Sequence, residues 1–264
     1  MSYFNALNSD QLRNIGLIVN AMEQGGIKNK YAQAGILAVI SKETNFSTAW
    51  LKERSYRGTS ASQIRKIFGL KVAHLSDSQI NSIKQNDVAF FNLVYGCRYG
   101  TPCDQGYKYR GRGFNQITFV GNYRLVSEYT GIDLVKNPEK LEDPKIASKA
   151  AVAYFLDAFN NKWSNAHANH YNAKNINDFK NLEDAVLAMY HANAGLGKPM
   201  FTKSQITSTG GLQKAISRVL GFHSLILSSL PKKNTVAIVV SLIVLAGLIT
   251  GAILIFRNVK KSNN

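Results

Sequence analysis

Apolar positions recur along most of this chain at three- and four-residue intervals, the period of an amphipathic helix. Ser9 is placed to cap a helix that begins at Asp10 and ends near Gly25-Gly26. A second helix is predicted from Lys30 to Glu43. In "TSASQIRKIFG", Ser60 is followed three residues later by Gln63, the capping-box order. "DPKIASKAAVAYFLDAF" puts Asp143 at the N-cap and Pro144 at the first helical position. "NLEDAVLAMYHAN" is a further helix-period run, and strand-like alternation is scarce. The pattern predicts a mainly α domain over residues 1–225, then a hinge at 226–234 around "SSLPKKN".

The period disappears at Thr235–Phe256, where every face is apolar and no residue is charged. About 20 such residues span a bilayer as a helix. Lys232 and Lys233 precede the run; Arg257, Lys260 and Lys261 follow it in a basic tail, 257–264. A single transmembrane helix is therefore expected, with the lipid bilayer as a partner. Gly247 and Gly251 form a small-xxx-small pair that could bring two spans together. The N-terminus lacks a basic segment followed by an apolar run, so no cleavable signal peptide is expected.

Charge narrows the picture. Lys and Arg number 32 against 16 Asp and Glu, a net charge of +16. Such a surplus suits a polyanion: nucleic acid, anionic lipid or an acidic wall polymer. No nucleic-acid motif accompanies it, so nucleic acid is not an expected partner. His167 and His170 lie in an Asn-rich stretch and read as a solvated face rather than a metal site. No metal or cofactor is expected. Cys97 and Cys103 could close a small loop or remain free thiols.

Two acidic positions carry candidate chemistry. In "AGILAVISKETNF", Ile36, Ile40 and Glu43 share one helix face. Partial burial there raises a carboxyl pKa, as a proton donor near neutral pH requires. Glu53 follows in "AWLKERSYRG", with Phe46 and Trp50 between the two acids. Paired carboxylates can hydrolyse a glycosidic bond, one protonating the leaving oxygen and the other activating water. "YRGRGFNQITFVGNY", residues 109–123, supplies flexible Gly111 and Gly113, then Gln116, Thr118 and Asn122, groups suited to sugar hydroxyls and N-acetyl amides. Its aromatic residues can stack on sugars or pack a core.

That last stretch resembles the signature of glycoside hydrolase family 19, the chitinase and phage-endolysin family. "SKETNF" resembles the segment around the family's general-acid glutamate. "KERSYRGTSASQIRKIFG" and "FFNLVYGCRYG…GYKYRGRG" are similar to the endolysin branch. The resemblance covers about residues 30–200. It implies a lysozyme-like, bilobal, mainly α fold and an inverting mechanism. It makes Glu43 the general acid and Glu53 the general base, and puts Thr118 where the family has a Ser or Thr that helps hold the attacking water. Gln116 and Asn122 match substrate-contacting positions. Tyr109, Arg112 and Tyr123 join the expected contacts, as does Asn193 in "HANAGLGK", although Ala194 stands where glycine is common. The expected substrate is peptidoglycan or a chitin-like polymer, cut from a phage virion membrane or a host inner membrane. A lytic transglycosylase and a non-enzymatic wall-binding or virion protein are the two other classes.

Overall fold

The computed structural model describes residues 7–202. The expected hinge, span and basic tail, with Gly247 and Gly251, lie outside the described residues. Among those described, no helix is long and apolar enough to cross a membrane. The described chain is mainly helical and forms two compact units, one from Glu43–Lys162 and one from the described parts of Met1–Lys42 and Trp163–Asn264.

The first unit, in chain order, contains α1 (Ser9–Gln24), α2 (Lys30–Glu43, whose last residue opens the second unit), α8 (Asn165–His170) and α9 (Leu182–Ala194). The cap of α1 is Asn8 rather than Ser9: its side chain accepts from the Gln11 N–H, and Gln11 returns a bond to the Asn8 N–H. Asn and Ser are about equal as N-caps, so two adjacent candidates left the sequence a one-residue ambiguity. Residues 32–41 of α2 are all buried. The helix packs so closely on α9 that a Cβ on Gly35 would meet Met189 Cγ at 2.8 Å and the Ala185 carbonyl oxygen at 2.9 Å. The Asn-rich stretch is a staple: Asn177 Oδ1 accepts from the Lys28 and Asn29 N–H groups, and its amide donates to the Gly26 carbonyl. His167 is buried and stacked on Trp163 at 5.1 Å, which corrects the reading of a solvated face; His170 is exposed. No His/Cys/Asp/Glu group among the described residues could hold a metal ion.

The second unit contains α3 (Ala61–Phe68), α4 (Asp77–Ile83), α5 (Asp87–Tyr95), α6 (Val120–Thr130) and α7 (Pro144–Asn161). Ser60 caps α3 through the Gln63 N–H, and Asp143 caps α7 ahead of Pro144, as the sequence predicts. Two apolar clusters fill the unit. Ile64, Val72, Ile80, Phe90, Phe91 and Val94 join α3, α4 and α5. Tyr109, Ile117, Tyr123, Val126, Leu141 and Ala150 join the glycine-rich turn to α6 and α7. Cys97 and Cys103 are disulfide-bonded, closing the loop after α5. Their pairing settles the alternative the sequence left open.

Candidate active site

Glu53 is fixed by backbone pairing. Its N–H donates to the Gly111 carbonyl at 2.8 Å, and the Gly113 N–H donates to the Leu51 carbonyl at 2.9 Å. Arg112 and Ile117 exchange two further bonds, at 3.0 and 2.7 Å. These bridges tie residues 51–53 to the first arm of the 111–117 turn, and that arm to the second, without a full strand. The two glycines serve different ends. Gly113 takes a φ of +75°, in the left-handed region that favours glycine. At Gly111 the constraint is space, since a Cβ would meet Gln116 Oε1 at 2.8 Å and Glu53 Oε2 at 3.1 Å.

The Glu53 carboxylate accepts three hydrogen bonds. The hydroxyls of Tyr56 and Tyr95 donate to Oε1 at 2.9 and 2.8 Å, and the Gly111 N–H donates to Oε2 at 3.0 Å. Both tyrosines are seated in the α3–α5 aromatic cluster. Tyr56 lies 5.1 Å from Phe68, and Tyr95 stacks on Phe91 at 5.9 Å. Burial pushes the Glu53 carboxyl above its ordinary value, while the three donors and the Arg110 charge oppose the shift. Both tyrosyl hydroxyls are pushed up by burial and by the neighbouring carboxylate, so they stay protonated and donate.

Glu43 and Glu53 line one cavity of about 390 Å³, together with Trp50, Arg54, Gln116 and Thr118. Glu43 is half-buried at the end of α2. Trp50 is 44% exposed, whereas Phe46 is wholly buried in the core. Gln116 holds the turn closed by donating to the Trp50 carbonyl at 2.8 Å and the Gly113 carbonyl at 3.1 Å. Thr118 Oγ1 donates to the Gln116 carbonyl at 3.0 Å, which leaves the hydroxyl its acceptor capacity. Asn122 lies outside the cavity lining and buttresses Thr118 by donating to its carbonyl at 2.9 Å.

Three of the expected substrate contacts are buried and bonded to the protein's own groups. Tyr109 and Tyr123 are core residues; their hydroxyls donate to the Val135 and Arg110 carbonyls at 3.1 and 2.7 Å. Arg112 is 5% exposed and donates to Glu142, the Lys108 carbonyl and Tyr123. Asn193 belongs to the other unit, near the end of α9. Tyr56 and Tyr95 escaped the sequence reading. Tyr56 stands only three residues after Glu53, a spacing that offered a signal. Tyr95 is 42 residues away and offered none.

The family model for glycoside hydrolase family 19, described as chitinase class I, matches residues 92–174. "Lectin/endochitinase 1" of Urtica dioica is 40% identical over 62 residues, 23% of this chain. "Basic endochitinase B" of Arabidopsis thaliana is 40% identical over 58 residues, 22% of this chain. The chain spans only 17% of the length of each of these relatives. Among solved structures, chitinase C from Streptomyces griseus aligns with 89% of this chain and 81% of its own, at 18% identity and a TM-score of 0.42.

Proposed function

We propose that this chain is a glycoside hydrolase that cleaves β-1,4 bonds between N-acetylated hexosamines of the chitin or peptidoglycan type. The observation that carries the reading is the pair Glu43 and Glu53 lining one cavity, with Glu53 held as a positioned carboxylate by three donors. The family match over residues 92–174 and the endochitinase names of the relatives support the same chemistry.

In this mechanism protonated Glu43 donates its proton to the glycosidic oxygen as the bond to the anomeric carbon breaks. Glu53 takes a proton from a water that attacks that carbon from the opposite face. The products are a new non-reducing end and a hemiacetal of inverted configuration. Thr118 Oγ1 accepts from the attacking water, and Gln116 faces the substrate. The Tyr56, Tyr95 and Gly111 donors aim the Glu53 carboxylate at the water. Asn122, Tyr109, Arg112 and Tyr123 hold the turn that carries these groups.

Peptidoglycan is the preferred substrate in this reading, because a net charge of +16 draws the protein to an acidic wall polymer. The uncharged run Thr235–Phe256 would tether the enzyme to a bilayer, as suits an enzyme that cuts a wall from a viral or host membrane. Mass spectrometry of purified peptidoglycan digested by the full chain tests the reading, with Glu43→Gln as control. Reducing ends that vanish in the variant are expected. Anhydro ends would make the protein a transglycosylase, and uncut peptidoglycan with uncut chitin oligomers would end the enzymatic reading. The anchor is tested apart, by carbonate extraction of membranes: release of the full chain into the soluble fraction would contradict it.

A further inference from the structure

The guanidinium of Arg54 lies over the Trp50 ring, with Cζ 3.5 Å from the ring centroid, and both residues line the cavity that holds the two glutamates. Stacking occupies the flat face of a guanidinium and leaves its edge, with the N–H donors, pointing away from the ring. Neighbouring cations on the same segment are spoken for. Lys52 pairs with Glu142 at 3.3 Å and Arg57 with Asp87 at 3.4 Å. Arg54 has no ion pair among the described residues. Nor is it the cation acting on Glu53, a role that falls to Arg110. The cavity wall thus carries, on an aromatic seat, a positive charge that makes no ion pair among the described residues.

A neutral glycan would not use that charge. Its hydroxyls and amides are met equally well by neutral groups such as Ser55, Gln116 and Thr118, which also line the cavity. A carboxylate on the sugar chain would use it fully, because a planar fork held in place forms charge-assisted bonds with little further ordering. We infer that the Arg54–Trp50 pair is a specificity element that reads a carboxylate on the glycan, so the site takes N-acetylated sugar chains with acidic substituents in preference to neutral ones. The inference rests on the glycoside hydrolase reading above and narrows its substrate class.

The test compares two soluble glycans with the full chain: strands carrying lactyl ether carboxylates, and the same strands with those carboxyls converted to methylamides. The wild-type chain is expected to favour the carboxylate form by about tenfold in kcat/KM, mainly through KM, with the preference shrinking as salt is raised. Arg54→Gln brings the preference close to one. Arg54→Lys, which keeps the charge and loses the fork, retains part of it. A wild-type chain that cuts both forms alike, or an Arg54→Gln variant that keeps the full preference, overturns the inference and leaves the hydrolase reading standing. A wild-type chain that cuts neither form nor chitin oligomers overturns both.

Discussion

Burial draws the Glu53 carboxyl toward its neutral form, while two tyrosyl hydroxyls and the Gly111 N–H draw it back toward the charge. Removing one donor tips that balance. In Tyr95→Phe the Glu53 pKa rises further, so the acidic limb of the kcat/KM profile should move to higher pH, with a fall in kcat; an unmoved limb would mean that Tyr95 does not act on Glu53. The same shift has a stability consequence. A carboxyl whose folded pKa lies above its unfolded value of 4.5 binds its proton more tightly in the fold, so its contribution is greatest below the unfolded pKa and is lost as pH rises through the folded one. Glu53→Gln should therefore gain thermal stability relative to wild type between acid and neutral pH, while activity falls by about 10²–10⁴-fold. Asn115 is a separate case. It is 5% exposed, and neither amide atom has a hydrogen-bond partner. Asn115→Leu should raise stability by about 1–2 kcal/mol in a denaturant melt, since an orphaned buried polar group carries a cost of that order. At this scale the acids, Gln116 and Thr118 could be picked out from residue type and local spacing, and the structure brings them to one cavity. The burial of Tyr109, Arg112 and Tyr123 was not legible, because a polar tip looks the same in sequence whether it faces a ligand or a backbone carbonyl.

Elements were the most legible level. The bounds of α2 and the Ser60 and Asp143 caps followed from periodicity and cap chemistry. The short bridges among Lys52, Arg112 and Ile117 did not, since single residue pairs leave no alternating pattern to read. They are nonetheless what aligns the site, and the glycines show how tightly. Gly111→Ala places a methyl against Glu53 and Gln116. Because about 1 Å of misplacement can cost roughly 10²-fold in rate, kcat should fall by that order with the melting temperature much less affected. Gly35→Ala inverts the expectation. Its methyl meets the Ala185 backbone between α2 and α9, so about 1–3 kcal/mol of stability should be lost. Calorimetry on the two variants would separate the roles, and equal losses of stability would contradict the assignment.

For the molecule as a whole, the proposed place of work rests on the chain's charge and its apolar C-terminal run, and the proposed chemistry on the paired carboxylates. Composition alone could not choose among polyanions, because net charge sets attraction and not chemistry. Nor could a count of two cysteines decide their pairing, which depends on how α5 and the following loop bring them together. In the proposed mechanism Glu43 and Glu53 divide the work of a single displacement. The most direct test is proton NMR of the anomeric signals formed in the first minutes of cleavage of a soluble chitin oligomer by the full chain, with Glu43→Gln and Glu53→Gln alongside. Inversion gives α-configured new reducing ends from a β-linked substrate, and that signal is expected to be lost in both variants. New ends of β configuration, or undiminished cleavage in either variant, would contradict the mechanism.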